Sequence, residues 1–425
     1  MKNRAVLLIS LLVGIYFQTM GQPIKVLFVG NSYTGFNDLA SMVYDVSLST
    51  GDTLYIDKIT PGGYRFLNHS MSTNTLDLIA DTSWNYVVLQ AQSQEPSWPL
   101  SQVQTEVFPH ATILCDAIRN NNSCGVPVFY MTWGRKNGDA SNCGSWPPVC
   151  TYDGMDSLLS ERYQFMAEDN NALVSPVGAV WHYIRDNYPL IELYNPDESH
   201  PSVAGSYAAA CTFYAIILRK DPSQIMFNAG LSMSEAVSIR NAAKIIAFDD
   251  LLNWNVGKTD PVADFSFTQN QYDVNFMNLS VNGDTYNWTF GDGNSSTAEN
   301  PQHTYLGNAL FPIELKTTSC GRVSTKLDSV VLSMGVHDLD NSRVLNVYPN
   351  PSNGKVTVEI EGLNWSQKTT FLIIDNTGKI VTQSVISGRS SSHFFDSSSF
   401  PTGLYYINVI QGGKRIAKST FEVVR

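Results

Sequence analysis

The sequence predicts an α/β layer structure over residues 22–256, followed by two small β-sandwiches, and three observations carry that prediction. Short β-branched and aromatic runs alternate with segments whose apolar residues recur at helical spacing. Helical periodicity ends near Thr259, and from Pro261 onward short alternating strands are separated by Asn, Gly, Asp and Ser. A polar stretch, Gly335 to Arg343, then divides the strand-rich half in two. A chain of 425 residues has room for about three domains at roughly 150 residues each.

The elements follow in order. Lys2 and Arg4 precede an apolar stretch, Ala5 to Tyr16, and Thr19 and Gly21 occupy the −3 and −1 positions of a cut before Gln22. That stretch falls short of the roughly 20 residues a membrane-spanning helix needs, so residues 1–21 are expected to be a signal peptide. Ile24 to Val29 is the first strand, ending in Gly30, and Leu39, Met42, Val43 and Val46 mark the helix behind it. Leu54 to Ile59, Tyr86 to Leu89 and Val126 to Thr132 are further buried-strand segments. Val107 to Arg119 and Leu158 to Glu168 read as helices, and Gly205 to Arg219, rich in Ala, Tyr and Ile, as a buried closing helix. Strands alternating with helices imply a mostly parallel sheet covered on both faces, a three-layer α/β/α arrangement. Downstream, Asp264 to Phe267, Tyr286 to Phe290 and Ile313 to Lys316 fit sandwich strands.

Composition narrows the partners. Hydrophobic residues make up 43% and charged residues 15%, which excludes global disorder. A formal net charge of −11 argues against nucleic acid or an anionic membrane as the main partner. Six cysteines form no CxxC pattern. Export permits disulfides: Cys143 and Cys150 bracket the Gly144–Val149 loop, and Cys115 and Cys124 flank an Asn-rich turn, so each pair is a candidate bridge. Cys211 and Cys320 are expected free and buried.

The chemistry-bearing residues come in two pieces. Gly30-Asn31-Ser32-Tyr33-Thr34 joins the first strand to its helix, so Ser32 falls at the carboxyl end of a parallel strand, where ligands of open α/β sheets collect. Free N–H groups there can stabilise an oxyanion. A serine at such a place is also an ordinary N-cap. The second piece is Asp197-Glu198-Ser199-His200. A hydroxyl becomes a nucleophile when an imidazole takes its proton, and a carboxylate must orient that imidazole. An Asp three residues before a His can reach Nδ1 and leave Nε2 for Ser32. Asn195-Pro196-Asp197 is equally turn chemistry.

Together, in this order, the two pieces resemble the SGNH (GDSL-type) hydrolases, with Gly30-Asn31-Ser32-Tyr33 standing for Gly-Asp-Ser-Leu and Asn replacing Asp. The resemblance covers residues 22–256 and implies an SGNH/flavodoxin-like fold and a Ser32–His200–Asp197 triad needing no cofactor. It implies an oxyanion hole from the N–H groups of Ser32 and Gly63, the latter in Thr60-Pro61-Gly62-Gly63-Tyr64, with an amide side chain. Gly-x-Asn-Asp, which usually supplies that amide, is replaced by Gln90-Ala91-Gln92-Ser93-Gln94, where Gln94 is the expected donor and Gln92 the runner-up. Tyr33, Trp133 and Arg135 are the expected substrate-binding residues at the same rim; the alternative for the Trp133-Gly134-Arg135 segment is an exposed loop with a packed Trp. His69 and His110 have no partner at metal spacing and are treated as surface or structural, His182 as a core histidine. No metal site is expected.

Trp288-Thr289-Phe290-Gly291-Asp292-Gly293, with Asn300-Pro301 and His303-Thr304-Tyr305, resembles a PKD domain over 260–334. Val347-Tyr348-Pro349-Asn350-Pro351, Asp375-Asn376-Thr377-Gly378-Lys379 and Pro401-Thr402-Gly403-Leu404-Tyr405-Tyr406 resemble the C-terminal sorting domain of type IX secretion substrates of Bacteroidetes, over 343–425. That resemblance implies secretion or surface attachment, with the type IX machinery as partner. The whole reads as a secreted serine esterase acting on an ester substrate, with an acylated carbohydrate as the expected target. The alternative is a catalytically silent surface glycan-binding protein; a lipase would want an amphipathic lid that the sequence does not offer.

Overall fold

The computed structural model describes residues 23–332, 345–361, 363, 367–386, 392–412 and 414–425. The expected signal peptide and the polar stretch Gly335 to Arg343 lie outside them. Two compact units meet in sequence between Thr259 and Asp260.

The first unit is built on five parallel strands: β1 (Ile24–Val29), β2 (Leu54–Ile59), β3 (Tyr86–Leu89), β4 (Val126–Tyr130) and β5 (Leu173–Ser175). Their order is β2-β1-β3-β4-β5. Val26 to Val29 and Val87 to Leu89 are fully buried, as strands covered on both faces must be, which is why they read as apolar runs rather than alternating ones. Each such side chain contributes about 1.5–3 kcal/mol by leaving water. β4 stops two residues short of the predicted strand, and β5 was not predicted: three residues are too few to show a period.

The helices are α1 (Ser32–Gly35), α2 (Leu39–Leu48), α3 (Phe66–Met71), α4 (Thr73–Asp81), α5 (Leu100–Glu106), α6 (Phe108–Asn121), α7 (Tyr152–Asp169), α8 (Val177–Asn187), α9 (Val203–Phe213) and α10 (Met233–Ala243). α2, α8, α9 and α10 pack on one another, and α3, α4, α6 and α7 form a second group. The result is the α/β layering the sequence predicts. α9 is buried around most of its circumference, as a closing helix should be.

Strand order reverses beside β1, whose two neighbours lead to β2 on one side and β3 on the other. The carboxyl ends stay level, with Val29 paired to both Ile59 and Leu89. A crevice at that point is where open α/β sheets bind ligands.

Cysteine pairing follows the sequence in one place and departs from it in two. Cys143 and Cys150 are bridged, with Cα atoms 4.7 Å apart. Cys115 is a free thiol, so the expected Cys115–Cys124 bridge is not formed. Cys115 belongs with Ala111, Leu114 and Ile118 to the buried stripe of α6, whereas Cys124 lies beyond the end of that helix; burial pushes the Cys115 thiol up to about 12. Cys211 is free and buried as expected, but Cys320 is disulfide-bonded rather than free.

Within the second unit, residues 260–332 form two antiparallel sheets. One joins Phe265–Asn270, Asp273–Asn278 and Gln302–Thr304; the other joins Thr285–Thr289, Ser295–Ser296, Leu310–Ser319 and Arg322–Val331. Phe265, Phe276, Trp288, Phe290, Tyr305 and Ile313 fill the space between, and the Trp288 indole N–H donates to the Ala298 carbonyl at 3.0 Å. The described residues from 345 onward form two further antiparallel sheets around Val356, Val358, Phe371, Ile373, Ile407 and Phe421.

Candidate active site

Gly30 closes β1 because nothing larger fits: a Cβ there would lie 2.5 Å from Thr34 Oγ1 and 2.8 Å from Gln90 Oε1. Asn31, and not Ser32, caps α1, its side-chain oxygen accepting from the Tyr33 N–H at 3.1 Å. Its amide nitrogen donates to the Tyr64 carbonyl at 2.9 Å and the Ala91 carbonyl at 3.4 Å. One side chain therefore holds the nucleophile turn against the loops after β2 and β3. Gln90, buried at the end of β3, accepts from the Asn31 N–H and the Thr34 hydroxyl, both at 2.9 Å. His69, buried rather than at the surface, meets the Gly30 carbonyl with Nε2 at 2.9 Å and the Thr75 hydroxyl with Nδ1 at 3.0 Å. Burial holds its pKa below the ordinary histidine value, and the Gly30 carbonyl partly offsets that.

Freed from capping, the Ser32 hydroxyl lies 2.8 Å from His200 Nε2. His200 Nδ1 lies 2.5 Å from Asp197 Oδ2. Asp197 Oδ1 accepts the His200 and Ser199 backbone N–H groups at 3.0 and 3.1 Å, a turn that forms because Asp can bond the backbone two and three residues on. Partial burial of Asp197 raises its carboxyl, but the bonds from the His200 ring and from those two N–H groups outweigh this and hold it below the ordinary carboxylate value. The structure brings Ser32, His200 and Asp197 into one chain across 168 residues of sequence.

Behind His200 stands an aromatic column. Tyr33 stacks on Trp133 at 4.9 Å, and Trp133 on Trp181 at 3.7 Å. The Tyr33 hydroxyl is 2.7 Å from Ser199 Oγ, and the Trp133 indole N–H donates to the Ser199 carbonyl at 3.1 Å. Both rings are buried, at 2% and 0% exposure, so neither offers a substrate surface as expected; they hold the Asp197–His200 loop. Phe36, exposed, stacks on the His200 ring at 4.2 Å. Asn37 fastens the other side, its amide nitrogen donating to the Pro201 and Ser202 carbonyls at 3.0 Å and to Ser206 Oγ at 2.9 Å. Asn37 is left-handed, at φ 54°, a conformation Asn tolerates better than most residues.

On the opposite rim, Gly63 adopts φ +72°, which suits glycine. Among the described residues no hydrogen bond takes its N–H. Gln92 Oε1 accepts from the Gln94 and Glu95 backbone N–H groups at 2.7 and 3.2 Å. Its Nε2 contacts Gln94 Oε1 at 3.3 Å. Gln94 Nε2 donates to Asp139 at 2.8 Å, and Arg135 also pairs with Asp139, at 3.2 Å. Glu95, buried, meets the Arg65 guanidinium, which reaches Glu106 at 2.7 Å and lies over Trp98. The ion pair links the loop after β2 to the loop after β3.

His182 is not a core residue. Its side chain is 43% exposed, with Nδ1 2.9 Å from Asp156 Oδ2 and Nε2 3.4 Å from Asp186 Oδ2. The bond to Asp156 raises its pKa, ahead of the opposing effect of partial burial. It faces a separate cleft between α7 and α8. His110 Nδ1 is 2.8 Å from Ser70 Oγ, away from these loops.

The sequence assigns no role to Gln90, Asn37 or Asp139, and His69 takes the structural one of its two expected roles. A lone Gln closing an apolar strand was the one signal available, since a polar side chain at a buried strand end needs partners. The other three carry no local pattern.

Residues 258–332 match the family model of the PKD domain, and residues 346–421 that of the secretion system C-terminal sorting domain. The tail is a sorting domain. It directs the protein through type IX secretion to the cell surface or outside. No curated protein matches the chain. Among solved structures, the chain is similar to a DUF4886 family protein from Bacteroides uniformis, at 17% identity over 54% of this chain and 95% of that one, TM-score 0.46. It is also similar to a candidate SGNH hydrolase from Slackia heliotrinireducens, at 26% identity over 45% and 97%, TM-score 0.38. An acetyl xylan esterase, AlAXEase, is matched at 16% identity over 45% and 98%, TM-score 0.35.

Proposed function

We propose that the exported protein is a serine esterase of SGNH type. The observation that carries this reading is the unbroken chain Ser32 Oγ–His200 Nε2, 2.8 Å, and His200 Nδ1–Asp197 Oδ2, 2.5 Å, at the strand-order reversal of a parallel sheet. His200 takes the hydroxyl proton as Ser32 attacks the ester carbonyl, and Asp197 holds the ring so that Nδ1 keeps its proton and Nε2 is the acceptor. The alcohol leaves with the proton that His200 returns, an acyl-serine remains, and water activated by the same imidazole releases the acid.

The tetrahedral oxyanion is held by the Ser32 and Gly63 N–H groups and by the amide of Gln92 rather than Gln94. Gln92 has its oxygen occupied by two backbone N–H groups and one N–H directed at Gln94 Oε1, which leaves its second N–H to give, while the Gln94 amide is held at both ends, its nitrogen by a buried carboxylate and its oxygen by Gln92. Export and the PKD module favour an acylated carbohydrate as substrate. The domain organisation that goes with this reading is a signal peptide at 1–21, a catalytic domain at 22–256, the PKD domain at 260–334 and the sorting domain at 343–425.

The test is hydrolysis of p-nitrophenyl acetate and longer-chain esters, and release of acetate from acetylated polysaccharide, by the full chain beside Ser32→Ala. Activity that disappears with Ser32→Ala is the expected result. Equal activity in both proteins removes Ser32 as nucleophile; binding of glycan without turnover would favour a silent binding protein.

A further inference from the structure

The loop that follows β4 is closed by the Cys143–Cys150 bridge, and it grips the segment after β3 at two points. Gln94 Nε2 donates to Asp139 Oδ2 at 2.8 Å, and the Trp146 indole N–H donates to the Ser97 carbonyl at 3.0 Å. Asp139 is fully buried. Its carboxylate also accepts from Asn142 Nδ2 at 2.6 Å, the Ser141 N–H at 3.1 Å and Arg135 Nη1 at 3.2 Å. Its backbone N–H donates to the Val149 carbonyl at 2.7 Å, and its carbonyl accepts from the Cys143 N–H at 2.9 Å. The residue is thus woven into the bridged loop by main chain and side chain alike. Burial alone would raise this carboxyl, but its donors and the Arg135 charge hold it below the ordinary value, so it is ionised at neutral pH.

An ionised carboxylate can only accept. It therefore fixes which end of the Gln94 amide faces it: Nε2 turns to Asp139 and Oε1 turns to Gln92. Gln94 Oε1 then takes one N–H of Gln92 at 3.3 Å, while Gln92 Oε1 is occupied by the Gln94 and Glu95 backbone. The amide of Gln92 is left with a single N–H and a single orientation in which to offer it.

We propose that Asp139 is a positioning residue for oxyanion stabilisation, acting through Gln94 on the Gln92 amide, and that the Cys143–Cys150 loop holds it in place. This rests on the esterase reading above. A donor aimed before the reaction begins needs no reorganisation as charge develops on the substrate oxygen. An amide free to flip presents oxygen to the oxyanion part of the time.

The experiment is a double-mutant cycle on the full chain, with kcat and KM measured separately for p-nitrophenyl acetate. Asp139→Asn keeps the volume of the side chain but can donate as well as accept, which releases Gln94 to flip. The expected loss is about tenfold in kcat, a fraction of the 10²–10³ that removal of an oxyanion donor costs, with KM within about twofold. In a Gln92→Ala background the same substitution should cost less than about twofold, because coupled residues do not add. An equal loss in both backgrounds overturns the proposal, since a merely structural role would be additive; no loss in the presence of Gln92 overturns it as well. Should Asp139→Asn not fold, the paired Cys143→Ser and Cys150→Ser change enters the same cycle, with the same two outcomes. The esterase reading fails separately: it falls if the unsubstituted chain and Ser32→Ala do not differ, whereas the positioning role falls with Ser32-dependent turnover intact.

Discussion

The two sides of the candidate site are built by different means. On the triad rim, Ser32 and His200 meet through elements anchored in the core: β1 and α1 on one side, and on the other a loop backed by Tyr33, Trp133 and Trp181. Stacked rings and two hydrogen bonds to Ser199 leave that loop little freedom. On the side proposed to hold the oxyanion, the residues lie in loops, and polar contacts hold them: the Arg65–Glu95 pair, the Gln92–Gln94–Asp139 chain and a disulfide. Apolar packing tolerates loss by relaxing, whereas a buried polar network loses a donor or acceptor outright. The triad rim should therefore fail through chemistry and the oxyanion rim through geometry.

Asp197→Asn presents the sharpest contrast. It keeps the shape of the loop but presents the wrong partner to Nδ1, and kcat should fall by about 10⁴ with the fold intact; stopped assays on the purified variant, with circular dichroism to check folding, decide it. A loss under tenfold would mean that His200 is oriented by its aromatic surroundings alone. Arg65→Ala leaves Glu95, with 1% of its side chain exposed, buried without its cation and should lower the stability of the α/β unit by about 3–5 kcal/mol, read from denaturant unfolding. An unchanged midpoint would show that Glu95 takes up a proton once the cation is gone. Gln92→Ala should lower kcat by about 10²–10³, and Gln94→Ala by less; the reverse order would return the oxyanion role to Gln94.

A smaller effect is expected in the pH dependence of stability. His69 titrates below the ordinary histidine value in the folded protein because burial disfavours its charged form. The unfolded chain then binds the extra proton first, so stability is full above about pH 6.5 and falls as pH drops from there toward the lowered folded value. Replacing His69 by Gln should flatten that acid limb in thermal scans between pH 7 and pH 5. A limb that survives the substitution would assign it to another group.

Much of the triad rim was legible because its residues sit in local patterns. Gly30-Asn31-Ser32 follows an apolar strand, and Asp197 and His200 are three residues apart. The oxyanion rim was less so. Gln92 and Gln94 are both amides in one loop, and the contact that distinguishes them is to Asp139, 45 residues away in sequence from Gln94. Trp133 and Tyr33 look like rim aromatics in sequence, and only their burial shows that they support the loop. The Cys115–Cys124 expectation failed for a related reason: two cysteines near a turn look paired until the helix face on which Cys115 sits is known.

By itself, then, the sequence determined the alternation of strands with helices and its end near Thr259, the place of Ser32 at a strand end, the Asp197–His200 spacing and the two tail modules. These properties come from periodicity, turn chemistry and motifs a few residues long. Tertiary structure decided which side chains face each other across the crevice: Asn31 as the cap in place of Ser32, His69 beneath Gly30, Asn37 on the loop after His200 and Asp139 behind the glutamines. Each of these is a hydrogen bond between residues far apart in the chain, and its existence depends on sheet order and loop path, which no local pattern encodes.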